Sequence, residues 1–171
     1  MEQNTEKYVE KTTVEADGAS QTIKINTELV AKLTKELDAF SEELKTKVYP
    51  VKLDSTDLLT QLIDFIENKS SWKNMEALGI IEVSKTLREQ QIAGLKSGNI
   101  FIASLPIQAI SFFLSKAENT GIEAAKSHIA LVKPIDDALR LIKLDNDRQN
   151  QLNSELAAAE NGIEIEKAPE K

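Results

Sequence analysis

Leu29, Leu33, Leu37, Phe40, Leu44 and Val48 recur at steps of four, four, three, four and four residues. That is one apolar stripe with a period of about 3.6 residues, and it commits the segment to an amphipathic helix with one face against a core. Asn26 or Thr27 supplies its cap, because a side-chain oxygen there accepts a first-turn N–H. Tyr49-Pro50 ends it, because proline disfavours α geometry in the residue before it.

The same logic predicts further helices. One opens at Asp54-Ser55-Thr56 and shows the face Leu58, Leu59, Leu62, Ile63, Phe65 and Ile66. The next runs from Ser70 or Ser71 to about Lys96 through Trp72, Met75, Leu78, Ile80, Ile81, Val83 and Leu87, and Gly79 either breaks it or admits another backbone. Ile100-Phe101-Ile102-Ala103 is apolar on both sides and reads as a buried extended piece or a buried turn of helix. Ser104 with Pro106 starts a helix whose face is Ile107, Ile110, Phe113, Leu114 and Ala117. Thr120-Gly121-Ile122-Glu123 has the form of a capping box, so another helix begins at Gly121. Ile129, Val132, Ile135, Leu139 and Ile142 keep phase through Pro134, which favours a kinked continuous helix over a fresh start at Pro134-Ile135-Asp136-Asp137. From Asn146 to Glu160 the pattern thins to Leu152, Leu156 and alanines, as in a weakly amphipathic helix on a surface or against a partner.

Aromatic residues make up only 5% of the 171 residues, so the core is built from Leu, Ile, Val and Ala. That composition favours helix packed on helix over an aromatic-rich β-sandwich. The expected fold class is all-α: a compact bundle of five to seven helices with flexible termini. Residues 1–20 read as a flexible N-terminal tail, 21–160 as the helical domain and 161–171 as a C-terminal tail. Short β-segments near 21–26 and 162–166 are the alternative to disordered ends, because Ile23-Lys24-Ile25 and Ile163-Glu164-Ile165-Glu166 alternate with a period of two. If they pair, Lys24 is expected to face acids and isoleucine to face isoleucine.

The chain is poor in chemistry-bearing side chains. It has one histidine, His128, no cysteine, and only Arg88, Arg140 and Arg148 as arginines among 21 basic residues. A net charge of −7 opposes direct contact with nucleic acid or an anionic membrane. The absence of cysteine removes disulfides and thiol chemistry and is compatible with a cytoplasmic location. The first 22 residues hold no apolar run of signal-peptide type, and the longest apolar stretch, Ile100 to Leu114, is too short for a membrane span.

No acid stands three or four residues from His128 to orient its ring. Glu42-Glu43 and Asp136-Asp137 are adjacent pairs, which diverge on a helix by about 100°. Asp145-Asn146-Asp147 opens like a calcium loop, but with Gln149, Asn150 and Leu156 at its fifth, sixth and twelfth positions it lacks the glycine and the closing glutamate, so helix capping is the expected role. No phosphate-binding glycine loop is present. No catalytic residue, cofactor site or metal site is therefore expected.

The most suggestive constellation is apolar. Phe101, Phe112 and Phe113 fall in one segment, and the adjacent pair points to different sides of a helix, so either the helix is central and buried all round or one ring fills the core while the other meets another surface. With Ile163 and Ile165 these form the candidate interface. The expectation is a non-enzymatic helical protein–protein interaction module. It would be a structural, adaptor or assembly-accessory component that self-associates or joins a protein partner, in the cytoplasm or in a phage or viral assembly, whose proteins share this style. The alternative is an acidic regulatory protein that covers the basic surface of a nucleic-acid-binding partner through Glu42, Glu43, Asp136 and Asp137. An enzyme using carboxylates, lysine or tyrosine ranks third, because it needs converging inward acids that the apolar stripes do not show.

Overall fold

Helix α1, Thr27–Thr46, begins where Asn26 Oδ1 accepts the Leu29 N–H at 3.0 Å, the expected cap. The computed structural model describes residues 8–14, 20–53, 55–67, 74–93, 99–116 and 121–164. In chain order the other elements are β1 Tyr8–Val14, β2 Ser20–Asn26, β3 Val48–Lys52, α2 Thr56–Glu67, α3 Asn74–Ala93, β4 Asn99–Ala103, α4 Ser104–Ser115, α5 Ile122–Asn161 and β5 Ile163–Glu164. The fold is mostly helical with two small antiparallel sheets, which corrects the all-α expectation. The expected features at Asp54, Ser70, Ser71, Trp72, Lys96, Ala117, Thr120, Ile165 and Glu166 lie outside the described residues.

The chain forms two compact units, Met1–Lys45 with Asn146–Lys171, and Thr46–Asp145. In the first, strand order is β1-β2-β5. Tyr8–Val14, read from sequence as part of a polar tail, pairs along its full length with β2. Its β-forming Tyr, Val and Thr residues lack clean alternation, and the partner strand supplies the order. Glu10 is set opposite Lys24, and the hydroxyls of the facing Thr12 and Thr22 lie 3.1 Å apart. Strand β5 pairs with β2, but Ile23 faces Glu164 and Lys24 faces Ile163, so charge and isoleucine are not matched as expected. Leu33 of α1 and Leu152 of α5 are buried. Arg148 donates to Glu36 at 2.7 Å and Gln149 to the Ser41 hydroxyl at 3.1 Å, which ties the two helices within this unit.

Helix α5 ends on Gly162, which has φ of +68°. This is the left-handed position that closes many helices and that a Cβ disfavours by about 1–2 kcal/mol. A Cβ there would also lie 2.7 Å from the Lys24 carbonyl oxygen. Gly162→Ala is therefore expected to detach β5 from β2. Hydrogen exchange should speed at the Ile163 and Lys24 amides and stay unchanged in α2 and α4.

The main core lies in the second unit. Leu59, Leu62, Ile63 and Ile66 of α2 meet Val83 and Leu87 of α3, Ile107, Ile110, Phe113 and Leu114 of α4, and Leu131, Ile135, Ala138 and Ile142 of α5. The α2 and α4 faces are those legible in the sequence, whereas on α5 Leu131 and Ala138 join the core from outside the expected stripe, and Ile129 of that stripe and Ile81 of α3 are each 65% exposed. The Ser55 hydroxyl caps α2 by accepting the Leu58 N–H at 3.2 Å. Helix α3 runs unbroken through Gly79, which lies close to the Phe113 ring: a Cβ there would be 3.6 Å from Phe113 Cζ. Helix α5 is continuous through Pro134 and on to Asn161, so Asp145-Asn146-Asp147 sits in its interior and caps nothing. Val48, in phase with the α1 stripe, belongs instead to β3, because Pro50 deletes a donor and holds the chain extended.

Candidate interaction surface

The extended segment at Ile100–Ala103 is β4, and it pairs antiparallel with β3. Its sequence is apolar on both sides, and the ribbon puts those two sides in different environments. The facing pairs Tyr49–Ile102 and Val51–Ile100 are buried in the core of the second unit. The pairs Val48–Ala103 and Pro50–Phe101 turn outward and are exposed. Val48 is 49% and Phe101 48% exposed, a contiguous apolar surface across two strands.

The Phe101 N–H donates to Gln90 Oε1 at 3.3 Å, which directs it away from β3. Pro50 and Phe101 are therefore a non-hydrogen-bonded pair, the closer of the two antiparallel pair types. That register explains how a strand tolerates proline at this position, because no ladder bond is lost. It also leaves one position on each margin without a free donor, since β3 offers no N–H at Pro50 and β4 has its Phe101 N–H occupied. The open approach is to the face.

Beneath that face, Tyr49 donates from its hydroxyl to Asp145 Oδ2 at 2.8 Å. Lys47 Nζ lies 3.1 Å from Asp145 Oδ1 and 3.0 Å from Oδ2. Sequence reasoning missed this trio, because the partners are 96 and 98 positions apart and nothing local marks Asp145 as an acceptor.

The two adjacent phenylalanines separate as expected. Phe113 is 3% exposed and belongs to the core, so it supplies no surface. Phe112 is 45% exposed, meets Phe113 edge-on at 5.6 Å, and carries the Lys116 ammonium 4.2 Å over its ring. Ile163 lies in β5 of the first unit, away in the chain from the phenylalanine segment, and Ile165 lies outside the described residues.

His128 is half-buried, with its ring centroid 6.1 Å from that of Phe65. Its Nδ1 is buried and has no hydrogen-bond partner among the described residues. The adjacent acids are held by cations of their own helices, Glu42 by Lys45 at 2.5 Å and Asp137 by Arg140 at 3.3 Å. Among the described residues no group of three or more His, Asp or Glu could hold a metal ion. Among the described residues, too, no helix is long and apolar enough to cross a membrane.

A second apolar surface follows α3, where exposed Ile81 and Ile92 line a groove of about 560 Å³ with Lys85 and Arg88. Glu67 closes its side by accepting from Arg88, at 2.8 Å from Nε and also from Nη2, and from the Ser84 hydroxyl. The hydrogen bonds from Arg88 and then Ser84 hold the Glu67 carboxyl below its ordinary value of 4.5, against a smaller opposing effect of burial. A carboxyl with a depressed folded-state value stabilises the fold fully above its unfolded value and loses that contribution as pH falls through the folded value. The thermal midpoint of the native chain should therefore fall more steeply than that of Glu67→Gln below about pH 4.5. Parallel curves would remove the pair from the stability balance.

No protein-family model, curated protein or solved structure matches the chain.

Proposed function

We propose that this protein is a non-enzymatic interaction module, a structural, adaptor or assembly-accessory component that associates with itself or with a protein partner through the outer face of the β3–β4 ribbon. The observation that carries the reading is the contrast between the two faces of one ribbon. Tyr49, Val51, Ile100 and Ile102 are buried, while Val48, Pro50, Phe101 and Ala103 present apolar surface to solvent. A monomer gains nothing from a half-exposed phenylalanine beside a proline and a valine, whereas association buries it at about 25 cal/mol per Å² of apolar area. An aromatic anchor on a rigid ribbon suits the centre of an interface, where large side chains carry most of the energy. His128, whose Nδ1 has no orienting partner, adds no support to a catalytic reading.

Sedimentation velocity over a concentration series tests the proposal in its simplest form, self-association. The native chain is expected to move as a species larger than its 19.0 kDa, and Phe101→Ser is expected to restore the single-chain mass. A native chain that stays at the single-chain mass throughout, indistinguishable from Phe101→Ser, overturns self-association through this face.

A further inference from the structure

We propose that a cleft of about 430 Å³ in the second unit, bounded by Lys52 of β3, Leu58 of α2 and the outer face of α5, docks a short acidic peptide with an apolar anchor. The inference stands on residues other than the Phe101 surface and does not depend on that reading.

Charge is the first argument. Three lysines, Lys52, Lys126 and Lys133, line one cleft in a chain whose net charge is −7. The single acid beside them, Asp137, is already paired with Arg140 at 3.3 Å. Lys52 and Lys133 have no ion-pair partner among the described residues. The chain as a whole carries excess negative charge, so this lysine-lined cleft is a place where an anionic segment meets charge of the opposite sign.

The floor is the second argument. Lys126 and Lys133 are two helical turns apart, and Ile129 and Ala130 lie between them on the same face. Ile129 is 65% exposed. A bare inorganic anion gains nothing from that side chain, whereas a peptide bearing an apolar residue between acids covers it.

Backbone chemistry is the third. Pro134, which also lines the cleft, has no N–H, so the helix offers the Ala130 carbonyl no donor from four residues ahead. A peptide N–H can supply one. Lysine suits this role, because its flexible point charge can follow carboxylates on a mobile chain, whereas arginine favours fixed bidentate geometry.

Isothermal titration calorimetry of the full chain tests the proposal, using a synthetic peptide in which a Leu-Phe pair is flanked on both sides by glutamates. Saturable binding that weakens as ionic strength rises is expected. The Lys52→Gln/Lys133→Gln pair should weaken it about tenfold, as expected for the loss of two exposed ion pairs. Ile129→Ser should weaken it severalfold, and a glutamine analogue of the peptide should bind least. All three side chains are exposed, and circular dichroism verifies that the variants fold. An affinity indifferent to the lysine pair, or an equally tight glutamine analogue, overturns the proposal. Full competition by inorganic phosphate together with no effect of Ile129→Ser also overturns it, by reducing the cleft to a simple anion site. Phe101→Ser should leave the peptide affinity unchanged, which separates failure here from failure of the ribbon reading.

Discussion

Leu62→Ala is expected to lower the unfolding free energy of the second unit by about 2–5 kcal/mol. Leu62 has no exposed surface and sits on the α2 face with Leu59, Ile63 and Ile66, against side chains from α3, α4, α5 and the ribbon. Truncation removes the transfer energy of the lost carbons and leaves a void that fixed neighbours on several elements close only in part. No polar or charged residue is buried among the described residues, so no hydrogen bond can rearrange into the space. Urea unfolding followed by circular dichroism measures the loss. Leu58→Ala, at a half-buried position of the same helix, should cost clearly less. Equal costs at the two sites would contradict the packing described for α2.

Pro134→Ala is expected to change stability in the opposite direction, by up to about 3 kcal/mol, the penalty for proline in a helix interior. The residue lies far inside α5, which runs from Ile122 to Asn161, and Ile135 beside it is buried. Alanine restores an N–H to the Ala130 carbonyl and relieves the ring's crowding of the preceding turn. The thermal midpoint should therefore rise. An unchanged or lower midpoint would mean that the proline ring contributes packing in the second unit that offsets the missing bond.

The helical part of the fold was legible because its information is local. The stripes on α1, α2 and α4 recur turn by turn along their own helix, and the Asn26 and Ser55 caps act within three residues. The strands were less legible because each depends on a remote partner. Tyr8–Val14 has little alternation of its own and becomes a strand opposite Ser20–Asn26. Val48 continues a helical stripe until Pro50 and the pairing with Ala103 claim it for β3. The continuity of α5 was half visible: phase survived Pro134, but the polar Asp145-Asn146-Asp147 run resembled a terminus. Asp145 instead accepts from Lys47 and Tyr49, whose approach no local pattern records. The separation of Phe112 from Phe113 followed from helical geometry alone, whereas the outward turn of Phe101 needed the register of a ribbon whose other strand lies some fifty residues earlier.

The placement of Pro50 and Gln90 bears on how the protein behaves when concentrated. Exposed strands with bare margins recruit further strands and propagate into fibrils. On β3 a newcomer meets a ring in place of a donor, and on β4 it must displace an amide side chain already bound to the backbone. Lateral stacking is thereby disfavoured at one position on each margin of this ribbon.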